Sequence, residues 1–152
     1  MTNHTITHGS FTLTRQLKAT PTRAFAAFAE PARKRRWFVD TPGFTTFDYQ
    51  LDCREAGEEF WHGRAPDGTE ITMTARFAEV RAAERLLLTY EMTLNGRRLS
   101  LSLLSVEFRA ADGGTTLTLT EQVAPLDGMG TTEDRKLGTE GLLDALAAYL
   151  DG

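Results

Sequence analysis

The chain is poor in the residues from which disulfides and thiolate or imidazole metal sites are built. Of 152 residues one is cysteine, Cys53, and three are histidine. A single cysteine excludes an intramolecular disulfide and a tetrathiolate metal site, and it fits a reducing compartment. Basic residues are not in excess: 17 Lys and Arg stand against 21 Asp and Glu, for a net charge of −4. The basic footprint by which nucleic-acid-binding domains show themselves is therefore missing. No apolar run nears the ~20 residues that a membrane span needs, and "MTNHTITHGS" has neither the basic nor the apolar region of a secretory signal. HExxH, GxSxG and phosphate-loop patterns are absent, and "GMGTT" (128–132) does not follow the strand that a dinucleotide fingerprint requires. No repeat, low-complexity tract or linker divides the chain. The expectation is one cytoplasmic domain over 1–152, with 1–8 a flexible tail, no metal or cofactor, and neither nucleic acid nor membrane as partner.

What is present is a change of period along the chain. "SFTLTRQL" places Phe11, Leu13 and Leu17 among polar residues and reads as a strand. Thr20 is a candidate helix N-cap with Pro21 at the first helical position, where a missing N–H costs nothing. Pro31 ends that helix and opens a second, so two short helices fill 21–38. From 44 to 124 the period is two. The faces expected to point inward carry Phe47, Tyr49, Leu51 and Cys53; Phe60 and His62; Ile71, Met73, Ala75 and Phe77; Leu86, Leu88, Tyr90 and Met92; Leu99, Leu101 and Leu103; and Leu117, Leu119 and Val123. A shift to Val106 and Phe108 predicts a bulge near Leu104. Asp67-Gly68, Asn95-Gly96 and Asp112-Gly113-Gly114 mark hairpin turns. The closing segment "EDRKLGTEGLLDALAAYLDG" is helical, with Leu142, Leu143, Leu146, Tyr149 and Leu150 on one side. A one-sided sheet and a one-sided helix each need a cover. The expectation is an α+β layer in which a curved antiparallel sheet of about seven strands wraps the C-terminal helix.

This order of elements resembles the helix-grip fold of the START-like (SRPBCC) superfamily, and within it the branch named after the activator of the heat-shock-protein-90 ATPase. The resemblance is carried by "RQLKATPTRAFAAFAEPARKRRWF" (15–38), "DCREAGEEF" (52–60), "AERLLLTYE" (83–91), "GGTTLTLTE" (113–121) and "KLGTEGLLDALAAYL" (136–150). Glu58 stands where the branch usually has a second glycine, and Thr139 where it usually has Trp. The resemblance implies a ligand pocket between sheet and helix. The alternatives are a cyclase- or hydrolase-like enzyme using Glu121, His62 or Tyr90 as acid/base on a polar aromatic or polyketide-like substrate, and the chaperone-interacting module that the family name suggests; a homodimer stays open.

The pocket is expected to be lined by Trp37, Phe38, Phe47, Tyr49, Phe60, His62, Met73, Leu88, Tyr90, Met92, Leu101, Glu121, Thr139 and Leu142, and to take an apolar or aromatic small molecule. Plain core packing is the competing explanation for each apolar member. Alternation turns Glu121 inward, where it faces a water-filled cavity or pairs with His62 or Arg64, unless a bulge turns it out. The basic run Arg33–Arg36 reads as the solvated side of the second helix, with Trp37 and Phe38 turned in; a docking edge for an acidic partner is the other reading. His4 and His8 have metal-binding spacing only if helical. One histidine in the sheet and one cysteine make no nucleophile–base pair, so no catalytic residue is assigned.

Overall fold

The computed structural model describes residues 4–152. Seven strands form one antiparallel sheet: β1 (Gly9–Leu17), β2 (Thr45–Leu51), β3 (Glu58–Arg64), β4 (Glu70–Arg81), β5 (Arg85–Leu94), β6 (Arg97–Ala111) and β7 (Gly114–Pro125), in the order β1-β7-β6-β5-β4-β3-β2. The last six are a meander, and β1 returns to the far edge to pair with β7. Between β1 and β2 the chain crosses from one edge to the other through α1 (Pro21–Ala29) and α2 (Pro31–Lys34). Helix α2 continues as a π-helical turn, Arg35–Val39, closed by the Asp40 amide on the Arg35 carbonyl at 2.9 Å. The long α3 (Thr132–Asp151) lies across the inner face.

Local chemistry accounts for the boundaries. The Thr20 hydroxyl accepts from the Arg23 amide and Thr131 from the Asp134 amide, so each cap satisfies an N–H that has no intrahelical partner. Asn95-Gly96 and Asp112-Gly113 both hold two successive positive φ values, as the tightest hairpin turns demand. The core lies between the inner face and the C-terminal half of α3, where Phe77, Leu86, Val106, Leu117, Leu143 and Leu146 are almost fully buried. Edge-to-face rings link Phe108, Phe28, Trp37 and Phe38, and the Trp37 indole donates to the Ala27 carbonyl at 2.9 Å. At the other end of α3, Arg23 caps the Leu150 carbonyl at 2.7 Å.

Four expectations need correction. The register of β6 on β7 runs unbroken through Leu104, and the irregularity falls at Leu99, between the Met92 and Thr93 pairings. The inner side of β6 is therefore Ser100, Ser102, Leu104, Val106 and Phe108, and Leu101 and Leu103 face out, 48% and 38% exposed. Phe47 is the extra residue of a bulge between Thr46 and Asp48, which turns its ring outward. In β3 Glu59 and Gly63 are buried, and Glu59 and Trp61 lie opposite the core residues Ala75 and Met73, so by alternation Phe60 and His62, half-buried like Trp61, belong to the outer face. Finally, residues 5–7 are tied down rather than loose: Ile6 bridges Leu126, the Thr7 amide donates to Pro125, and the Asp127 amide donates to Thr5. This segment is extended, so His4 and His8 lack helical spacing; positions 1–3 of the expected tail lie outside the described residues. No helix among the described residues is long and apolar enough to cross a membrane.

Candidate functional site

Sheet and helix do not close on each other along their whole length. Beside the N-terminal half of α3 they leave a cavity of about 430 Å³. Its apolar wall comes from Trp37 and Phe38 of the π-helical turn, Trp61, Met73, Leu88 and Met92 of the sheet, and Leu142 of α3. Thr41, Phe44, Asp134 and Gly138 are lining residues that are also exposed, which marks where the space meets solvent. Thr139 is on the buried side of α3 and lines the same space, its hydroxyl donating to the Arg135 carbonyl one turn back at 2.9 Å.

Two buried ion pairs reach this wall. The first is built by strand pairing. Tyr90 lies directly opposite Ser102, which lies opposite Val123, two residues from Glu121. Glu121 is 1% exposed, and its Oε2 accepts from the Tyr90 hydroxyl at 2.7 Å, the Ser102 hydroxyl at 2.6 Å and Arg135 Nη1 at 3.1 Å. Arg135, in the first turns of α3, also donates to the Tyr90 hydroxyl and to Ser100. A smaller cavity of about 230 Å³ shares Met92, Asp134 and Arg135 with the first, so the guanidinium stands in the wall between them.

The second pair joins helix to sheet at the other side. Lys34 Nζ donates to Glu59 Oε1 at 2.7 Å, and the Tyr49 hydroxyl donates to Glu59 Oε2 at 2.8 Å. Glu59 is 1% exposed and Lys34 8%. The ammonium also sits 4.5 Å from the Phe38 ring centroid. Lys34 is thus the exception within the basic run: Arg33, Arg35 and Arg36 are exposed as expected, and Lys34 is not.

Of the side chains expected around a pocket, Trp37, Phe38, Met73, Leu88, Tyr90, Met92, Glu121, Thr139 and Leu142 lie on the cavity wall. Tyr49 is on the inner face but reaches only Glu59. Phe47, Phe60, His62 and Leu101 are on the opposite face; the His62 ring packs on Phe47, and its Nε2 lies 3.6 Å from Glu70. The partner of Glu121 is accordingly neither His62 nor Arg64 but Arg135. Sequence reading missed Lys34, Glu59, Trp61 and Arg135. The helical stripe Arg135, Thr139, Leu142, Leu146, Leu150 was a signal for the last of these. For Trp61 the signal was Gly63, since a side chain there would strike the indole.

Burial raises the pKa of the Tyr49 and Tyr90 hydroxyls, with Glu59 and Glu121 adding to it, so both donate rather than ionise at neutral pH. Burial likewise pushes the Cys53 thiol from its ordinary 9.0 up to about 11, against the pull of Lys34. All three groups hold their protons more tightly when folded. Between pH 9 and 11 the unfolded chain loses protons that the folded chain keeps, so stability falls as pH rises through that interval. Urea unfolding at a series of pH values should show the midpoint dropping above pH 9; a midpoint that rises there would contradict these burials.

A curved seven-stranded sheet gripping a C-terminal helix, with two short helices between the first two strands, is the helix-grip architecture of the START-like superfamily. The sequence profile of the Activator of Hsp90 ATPase homolog 1-like proteins matches residues 18–151, and the chain belongs to that family. Among solved structures, a Rhizobium leguminosarum protein is 36% identical, with a TM-score of 0.93 over 97% of each chain. The Mll3558 protein of Rhizobium loti is 37% identical, with a TM-score of 0.89 over 97% of this chain and 100% of its own. An AHSA1-like protein of Aeromonas hydrophila, at 20% identity and a TM-score of 0.71 over 94% of this chain and 92% of its own, shares the fold. Comparison with the curated proteins gives no match.

Proposed function

We propose that this protein binds a small apolar or aromatic molecule in the space between the sheet and the N-terminal half of α3. The observation that carries the proposal is the cavity itself. About 430 Å³ is within the range of ligand sites, and the wall is mainly aromatic, Leu and Met with a few fixed polar groups. Close-packed interiors do not keep so large an apolar space without cost, and Met73 and Met92 give the wall adaptability.

The test is thermal unfolding with a panel of aromatic and lipid-like compounds. A compound that binds the folded state alone stabilises it by about 2.7 kcal/mol at a hundredfold excess over Kd. Thr139→Trp supplies the control, because it sends an indole into the space from the centre of the buried side of α3. The variant is expected to fold with equal or higher stability and to lose the ligand-induced shift. A loss of about 1–3 kcal/mol through overpacking, with no shift in the parent, would show that no usable space exists.

The family description supports a second reading, contact with a heat-shock-protein-90 chaperone. Stimulation of that chaperone's ATPase by the purified protein would support it, and the cavity variant Thr139→Trp separates the two roles.

A further inference from the structure

We propose that the ligand is a neutral molecule with an apolar body, a hydroxyl or N–H donor bonded to Glu121 Oε1, and a carbonyl-type acceptor bonded by Lys34 Nζ. The inference rests on the cavity being a ligand site, and it follows from counting which polar valences the protein has left open. Every hydrogen bond to the Glu121 carboxylate falls on Oε2. Oε1 takes none from any described residue. All fully enclosed side-chain oxygens and nitrogens among the described residues do have partners, so Oε1 is in contact with the cavity that Glu121 lines. It is an acceptor that no described residue uses.

Lys34 is the complementary case. An ammonium carries three N–H groups, and one of them is committed, to Glu59 Oε1. Lys34 lines the cavity and its nitrogen is beside the ring of Phe38, another lining residue, which leaves donors for an acceptor inside. The other buried polar groups nearby are already engaged: the Tyr90 hydroxyl donates to Glu121 and accepts from Arg135, the Tyr49 hydroxyl donates to Glu59, and the Thr139 hydroxyl donates to the Arg135 carbonyl, while Thr41 and Asp134 are at the exposed mouth.

Charge decides between a neutral and an ionic ligand. Lys34 is balanced by Glu59 and Arg135 by Glu121, so the buried wall is neutral as it stands. A ligand cation or anion held there would lack a buried counter-charge, since the remaining charged lining residue, Asp134, is at the exposed mouth, and its desolvation would oppose binding. A neutral ligand that donates at one end and accepts at the other meets both open valences with no such cost.

Four related probes, compared by titration calorimetry, read this out. 4-Hydroxybenzophenone carries donor and carbonyl, 4-methoxybenzophenone lacks the donor, 4-benzylphenol lacks the carbonyl, and diphenylmethane lacks both. At a mildly acidic pH that keeps the phenols neutral, the first should bind tightest. Loss of either group should weaken binding about tenfold or more, the effect of a hydrogen bond to a charged group. In Glu121→Gln the amide oxygen must serve Arg135 and the hydroxyls, which turns the NH₂ to the cavity and should invert the preference between hydroxy and methoxy probes. The double variant Lys34→Met/Glu59→Leu removes both charges together and should erase the carbonyl preference. If either variant fails to fold, the wild-type ranking still decides. Equal binding of all four probes overturns this proposal and leaves the apolar site standing, and binding of none overturns both. Preferences that persist unchanged in folded variants overturn the assignment to these two atoms.

Discussion

Arg135→Met is expected to destabilise the protein by about 3–5 kcal/mol, because it strands a carboxylate that the fold cannot hydrate. Glu121 is 1% exposed in the seventh strand, and the guanidinium is its one counter-charge among the described residues. The same guanidinium donates to Ser100, Ser102 and the Tyr90 hydroxyl, so its removal also leaves those oxygens short of a donor. The loss is a penalty for breaking the pair and not a measure of its net contribution. Buried ion pairs replaced whole by apolar groups are often neutral or better. Arg135→Met/Glu121→Leu should therefore recover most of the stability that the single change costs. Urea midpoints of the two single variants and the double variant form the cycle that measures the coupling. Additive losses, with no recovery in the double variant, would mean that Arg135 acts through its packing alone.

Lys34→Gln is expected to cost about 3–5 kcal/mol as well, whereas Arg33, Arg35 and Arg36 replaced together by Gln should change stability by about 1 kcal/mol or less. The four residues are consecutive and chemically alike, so the contrast isolates position. Arg33 and Arg35 pair with Glu30 and Asp40 at half-exposed sites, where water and salt screen the attraction. Lys34 is turned through α2 onto the inner face, 2.7 Å from a Glu59 that no other described cation neutralises. Were all four side chains solvated, as the sequence pattern suggests, uniform Gln replacement would be silent; the buried pair makes it destabilising, and the single Lys34 change should reproduce nearly all of the loss. Equal effects from the triple variant and from Lys34→Gln would show that Lys34 swings freely in solution.

The two predictions mark the boundary between what was legible in the chain and what was not. Period two from 44 to 124, turn residues at Asn95-Gly96 and Asp112-Gly113, Pro21 and Pro31 at helix starts and the amphipathic tail are local signals. Each acts over a few residues, and each appears as an element in the expected order. The inward faces of β4, β5 and β7 were legible for the same reason, since only one of their two faces is apolar. In β3 and β6 the signal is two-sided. Phe60 and His62 compete with Glu59 and Trp61, and Leu101 and Leu103 compete with Ser100 and Ser102. Counting apolar residues chose the wrong face in both, because the inner face there is polar by design of the ion pairs and not by failure of the pattern.

The sequence by itself determined the helix-grip architecture, the burial of Trp37 and the place of Thr139 on the buried side of the last helix; for Glu121 it left an inward turn and a bulge both open. Only the tertiary structure decided that Glu121 meets Arg135, that Lys34 leaves its basic neighbours for Glu59, and that the space beside them stays open. The reason is physical: a carboxylate can be buried in a strand only where a cation from another element reaches it. Lys34 and Glu59 are 25 residues apart, and Arg135 and Glu121 are 14 apart. No period of two or of 3.6 relates such positions, so their meeting is a property of the assembled sheet and helices.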